Sequence, residues 1–333
     1  MQVQRPQRLA GFALLLGLLA LMTGLSLTVG ARSVPWAEIW AGITGQIETI
    51  GAAAVAVRMP RTALAILAGA ALGLAGAVMQ GISRNPLADP GILGVNAGAA
   101  LFVVVGIAWF DISGAHSYLW LGIAGAGVTA VFVYLIGSAG QGGATPLKLT
   151  LAGTATSVAV SAFIIAVVLP RNDIAGSVQS WQVGGVGGAS FETLLPAVPF
   201  ALVGLLLSLA SARVLNALAL GEELATGLGQ SVALGRLMAA AGAVILCGTA
   251  TALCGPIGFV GLVVPHLCRM IAGVDYKLVL PLSALAGASM LGLSDVLGRI
   301  VARPNELDVG IVTAFVGAPF FIWTVRNHRM RGL

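Results

Sequence analysis

Charge is scarce in this sequence: Asp, Glu, Lys and Arg make up 9% of its 333 residues, against roughly 25% in soluble globular chains. So few charges cannot cover a water-facing surface, which excludes an ordinary soluble domain. Hydrophobic residues reach 58% and the mean hydropathy is +0.99, so lipid is the solvent for most of the surface. Cysteine is rare too. Cys247, Cys254 and Cys268 form no CxxC pair and lie in apolar runs, which reads as core packing rather than a metal or redox site. The three histidines stand far apart, and only His266 falls near a membrane segment. No GxxxxGK[ST], HExxH or GxSxG occurs, so the chain carries no phosphate loop, zinc-protease helix or nucleophile elbow.

Acids are also missing from the middle of apolar runs, where the cost of a charge implies a use. All twelve Asp and Glu fall in expected loops or at helix ends. Asp295 comes closest to a span interior, and Arg299, four residues on, can pair with it on one helical face. That pattern argues against a transporter driven by an ion gradient. The lack of a periodic polar stripe argues against a passive channel, and the lack of a catalytic cluster against a membrane enzyme. Glycine, by contrast, is abundant at 46 residues. Small residues let helix backbones approach closely in lipid, where no hydrophobic force drives them together.

Charges and Gly/Pro clusters divide the chain into ten stretches able to cross roughly 30 Å of hydrocarbon, about 20 helical residues each. They are residues 9–29, 62–82, 92–110, 118–137, 149–169, 193–212, 237–254, 257–272, 278–294 and 309–325. Gly255-Pro256 separates the seventh from the eighth, because proline lacks a donor and clashes with the preceding turn. Residues 174–191 are uncharged yet Gly-rich and polar, which reads as a loop with a short interfacial helix. Eleven of the 17 basic residues fall on the side of the termini, so both termini are expected in the cytoplasm. The net charge of +5 therefore reads as topology and not as nucleic-acid binding. The apolar run after Arg5 and Arg8 is too long for a signal core and is expected to stay as a helix. The expected fold is an all-α polytopic bundle of about ten helices forming one permease domain, with residues 213–235 as its cytoplasmic coupling loop.

Three segments carry more than composition. Arg58-Met59-Pro60-Arg61 precedes the second span, which leads into QGISRNPLADPG at residues 80–91. Residues 220–229 read LGEELATGLG. Residues 255–266 read GPIGFVGLVVPH, with Gly317-Ala318-Pro319-Phe320-Phe321 in the last span. At these residues the sequence closely resembles the iron-siderophore, haem and cobalamin permease family of ABC importers, from about Arg58 to Phe321.

The resemblance implies half of a dimeric permease in the cytoplasmic membrane, paired with a second copy or a paralogue. It also implies two ABC ATPase subunits, a periplasmic or lipid-anchored substrate-binding protein, and no cofactor. Asn85, Pro86 and Leu87 would form one cytoplasmic gate, in a turn that Pro86 and Pro90 stiffen. Ala144 and Thr145, in the glycine-rich loop 140–146, would form its partner. Leu220, Gly221, Glu222, Glu223, Ala225 and Gly229 match the element that couples to the ATPase. Arg58, Arg61 and Arg299 would dock acidic residues of the binding protein. Residues 85–99 (NPLADPGILGVNAGA) look most like siderophore permeases, with haem and cobalamin as alternatives. Trp181 and Gly184-Gly185 resemble the family's long periplasmic segment but depart from its Trp-x-x-Gly-Ser pattern, so no substrate contact is assigned there.

Overall fold

The computed structural model describes residues 5–30, 34–112, 114–139, 145–227, 229 and 231–327. Among them there is no strand. In chain order the helices are α1 (Arg5–Thr28), α2 (Trp36–Ile43), α3 (Ile50–Ser83), α4 (Val95–Phe110), α5 (Ala115–Ser138), α6 (Pro146–Val168), α7 (Asn172–Val183), α8 (Phe191–Leu194), α9 (Val198–Ala210), α10 (Ala212–Leu218), α11 (Glu222–Gly227), α12 (Val232–Cys254), α13 (Val260–Ala272), α14 (Tyr276–Val301) and α15 (Val309–Asn327). Short 3₁₀ turns at Pro90–Leu93 and Leu195–Ala197 lead into α4 and α9.

Side-chain caps set several of these starts. Thr49 accepts from the Ala52 N–H at 3.1 Å, Thr145 from Lys148 at 3.3 Å, and Asp275 from Lys277 at 3.0 Å, each satisfying a donor the helix leaves open. Seven stretches are long and apolar enough to cross a membrane: Leu9–Thr28, Ile50–Ser83, His116–Ser138, Leu147–Val168, Phe191–Ala210, Val232–Cys254 and Tyr276–Val301. Three shorter apolar helices accompany them, Val95–Phe110, Val260–Ala272 and Val309–Thr324. By length and composition seven helices can cross a membrane, and the other three are shorter.

The largest boundary difference lies in α3. It begins at Ile50, not near Thr62, and runs 34 residues through Pro60, about 51 Å at 1.5 Å per residue. Proline removes one hydrogen bond from a helix without obliging it to end. Arg58 and Arg61 consequently sit inside a helix instead of ahead of one.

Helix α3 is the most buried of the long helices and packs on α14, α12 and α13. Gly69 faces Gly287 of α14 so closely that a Cβ on either would collide with the other's carbonyl oxygen. Gly73 meets Ser283, Gly76 meets Gly261 of α13, and Gly98 of α4 meets Gly125 of α5 in the same way. This is close helix packing by small residues. The outside is inverted relative to a soluble protein. Leu14 and Leu21 of α1, Phe132 and Leu135 of α5, Val158 and Ile165 of α6, and Leu202 and Leu206 of α9 are all exposed, as lipid-facing surface requires. His266 packs edge-on to Phe320, ring centroids 6.0 Å apart.

Candidate functional site

At one end of the bundle residues 213–229 are tied to three long helices. Gly221 and Gly229, with φ of 111° and 75°, turn the chain into and out of α11. Side chains rarely adopt that backbone region, so glycine is required at both turns. On α11, Ala225 is buried while Leu224 is exposed, as is Leu220 just before it, and Glu223 is exposed. Glu222 faces the bundle: its Oε1 accepts from Arg236 of α12 at 2.5 Å and from Arg84 at 3.3 Å. The Arg236 hydrogen bond, helped by the charges of Arg236 and Arg84, holds the Glu222 carboxyl below its usual range. Next to α11, Asn216 of α10 donates to Asp275 at 2.7 Å and accepts from the Tyr276 N–H at 2.8 Å, fixing α10 to the start of α14.

Arg84 links this element to the Asn85–Leu87 turn expected to act as a gate. It caps α3 in the left-handed conformation, φ 49°, and the turn follows directly. The Leu87 N–H donates to Asn85 Oδ1 at 2.9 Å, and the Ala88 N–H to the Asn85 carbonyl at 3.1 Å. Asp89 then caps the Pro90–Leu93 turn through the Gly91 N–H at 2.8 Å. Pro86 and Leu87 are exposed and Asn85 half-buried. Side chain and prolines together make this a stiff projection. Of the two residues expected to form the partner gate, Thr145 is the N-cap of α6, and Ala144 lies outside the described residues.

The other end gathers Arg58, Arg61, Arg299 and Arg303, but the exposure expected of the first three is corrected. Arg58 is 7% exposed and Arg299 1%. Arg58 donates to the Leu27 and Thr28 carbonyls at 3.1 and 3.2 Å. Arg299 donates to the Ser26 and Val29 carbonyls at 2.9 and 3.0 Å, and to Ser26 Oγ at 2.8 Å. Arg303 donates to the Gly30 carbonyl at 2.7 Å. The last carbonyls of α1 have no partners within that helix, and here guanidiniums supply them. Arg61 donates to Asp295 Oδ1 through Nε and Nη2 at 2.9 and 2.7 Å, and to Glu306 at 2.5 Å. Asp295, 1% exposed, also pairs with Arg299 at 2.9 Å, the four-residue pairing read from sequence. Its depth differs from that reading, since Asp295 lies within α14 and is fully enclosed.

Two features escaped sequence reasoning. The backbone of Gly184-Gly185 is pinned between distant elements: the Gly185 N–H donates to the Cys254 carbonyl at 2.8 Å, and Gly310 to Gly184 at 2.9 Å. Asn96 Oδ1 accepts from Thr251 at 2.9 Å and from the Cys247 thiol at 3.1 Å, joining α4 to α12. Polar residues inside apolar runs were the available signal for the second.

Residues 18–327 match the FecCD transport family. The chain belongs to that family. As a FecCD protein it is a multi-pass membrane permease. It is 40% identical to the ferric enterobactin transport system permease protein FepD of Escherichia coli (strain K12), over 96% of this chain and 95% of that one. It is 35% identical to the hemin transport system permease protein HmuU of Yersinia pestis, over 98% and 97%. Among solved structures, a metal-chelate type ABC transporter in an inward-facing conformation superposes with a TM-score of 0.83 at 30% identity, covering 96% of this FecCD chain and 99% of the other.

Proposed function

We propose that this chain is the membrane permease subunit of an ATP-driven importer that moves ferric siderophores across the cytoplasmic membrane by alternating access. The observation that carries the reading is the Glu222 tie. An exposed, glycine-bracketed helix is joined through one carboxylate to α12 and to the α3 end that holds the Asn85–Leu87 turn. A push on α11 by a separate ATPase subunit would thereby reach the gate as a rigid-body movement. The sequence has no phosphate loop of its own, consistent with hydrolysis on other subunits.

In this reading all ten apolar helices belong to the membrane domain, both termini face the cytoplasm, and two such chains, identical or paralogous, enclose the path. Asn85, Pro86 and Leu87, with Ala144 and Thr145, close it on the cytoplasmic side. Leu220, Glu223 and the rest of residues 220–229 meet the ATPase. The substrate-binding protein docks at the opposite end. Arg58, Arg61 and Arg299 serve that docking by holding the rim, since their buried donors are engaged. Glu306, half-exposed beside Arg61, is the rim group a partner reaches. Siderophore is favoured over haem as substrate because the relative at 40% identity is named for a ferric siderophore.

Uptake of radioactive iron by cells with and without the gene tests this, offering hydroxamate and catecholate siderophores, haem and cobalamin separately. Loss confined to one siderophore class is the expected result. Unchanged uptake of every ligand would overturn the substrate assignment.

A further inference from the structure

Between the end of α1, the start of α2 and Arg303 lies a groove that the transport reading leaves unused. Its volume is about 450 Å³, and Thr28, Val29, Val34, Trp36, Ile39 and Arg303 line it. The groove lies where the apolar stretch Leu9–Thr28 ends, which is the level of lipid headgroups. Helix α2 borders it as a short amphipathic element. Ile39 and Gly42 are buried, the latter against Ala52 and Val55 of α3, while Trp36 and Trp40 are 72% and 62% exposed. Exposed tryptophans one turn apart at such a level are characteristic of the membrane interface.

The polar side of the groove is cationic. Arg303 is exposed and spends one N–H on the Gly30 carbonyl. A guanidinium has five, and no second hydrogen-bond partner of Arg303 occurs among the described residues. The Arg58 guanidinium lies against the same glycine. Beside it Arg58, Arg61 and Arg299 share two carboxylates, Asp295 and Glu306, while Arg303 reaches the Gly30 carbonyl. The acid of α2, Glu38, lies over Gly51 at the start of α3, where Val34 also packs. The α1 carbonyls that would repel an anion are covered by the guanidiniums.

From this geometry we propose that the groove binds the headgroup of an anionic glycerophospholipid. Arg303 holds the phosphodiester, and Trp36, Ile39 and Val34 pack against the glycerol and upper acyl chain. Planar guanidinium donors match phosphate oxygens in pairs. The site would fix the entry of α2 and, through Gly30, the end of α1.

The test is native mass spectrometry of the full-length permease purified from vesicles containing equal phosphatidylglycerol and phosphatidylcholine. Wild type is expected to retain phosphatidylglycerol preferentially, and R303A to retain about tenfold less, as loss of a charged hydrogen-bonding group implies. R303K should keep an intermediate amount, and added inorganic phosphate should not displace the lipid. Equal retention of the two lipids, wild-type retention by R303A, or displacement by inorganic phosphate would each overturn the proposal. Should R303A fail to assemble, W36A replaces it with the same expected loss and the same refuting result. Iron uptake measured in parallel separates this site from the transport reading, because failed lipid selection leaves uptake untouched.

Discussion

Replacing Asp295 with alanine removes the carboxylate shared by Arg61 and Arg299, and its cost follows from what each arginine keeps. Asp295 receives two hydrogen bonds from Arg61 and lies 2.9 Å from Arg299. Its side chain is 1% exposed, Arg299's is 2% and Arg61's 12%, so water cannot replace the lost oxygens. Removing one member of a buried ion pair typically costs about 3–5 kcal/mol, because a charge is left uncompensated. Arg61 retains Glu306, and Arg299 retains two α1 carbonyls and Ser26. The expected loss for D295A is therefore at the lower end, about 3 kcal/mol. D295N keeps one acceptor for Arg61 but can set an amide donor against Arg299, for a loss of about 1.5–3 kcal/mol. Adding R299L to D295A removes one stranded charge, so the double variant should lose less than the sum of the singles. Detergent-micelle unfolding followed by the fluorescence of the six tryptophans measures wild type, D295A, D295N, R299L and the double variant. A D295A protein within about 0.5 kcal/mol of wild type, the range of ordinary surface changes, would refute the burial and sharing of this carboxylate.

Gly69→Val drives a side chain into the Gly287 carbonyl and should lower stability by about 1–3 kcal/mol or more. Gly17→Ala, with open space around it, should be neutral or slightly stabilising in the same unfolding assay. Glu222→Lys places a third cation beside Arg84 and Arg236; uptake by the assembled complex should fall several-fold while nucleotide hydrolysis continues, read as the ratio of the two rates. Because the folded Glu222 value lies below the ordinary 4.5, its stabilisation is complete above that value and is lost as pH falls through the folded one. The same ratio should thus stay flat from about pH 6 to 8, and a change there that E222Q abolishes would contradict the tie.

The all-helical character and the positions of the apolar helices were legible because lipid imposes a strong rule. Long uncharged runs interrupted by Gly, Pro and charge have few other uses. Local relations were legible too, since Asp295 and Arg299 are one helical turn apart. Arg61 was misread because its carboxylate is 234 residues away and because Pro60 looked like the edge of a helix it lies within. The resemblance implied docking by these arginines, and only tertiary packing shows the enclosed cap on α1. Residues 220–229 show the same limit. Their sequence stood out, whereas the Glu222 partners Arg84 and Arg236 were legible only as topological charges. The Glu222–Arg84 contact spans 138 residues, beyond the reach of periodicity or spacing.

The central claim is that nucleotide hydrolysis on partner subunits drives a ferric chelate through this chain. It is tested most directly in proteoliposomes containing the permease with its ATPase and binding protein, by following radioactive ferric siderophore across the bilayer. The account predicts transport that requires hydrolysable ATP and is indifferent to ionophores that collapse ion gradients. Transport that proceeds without nucleotide and stops when the gradients are collapsed would contradict it.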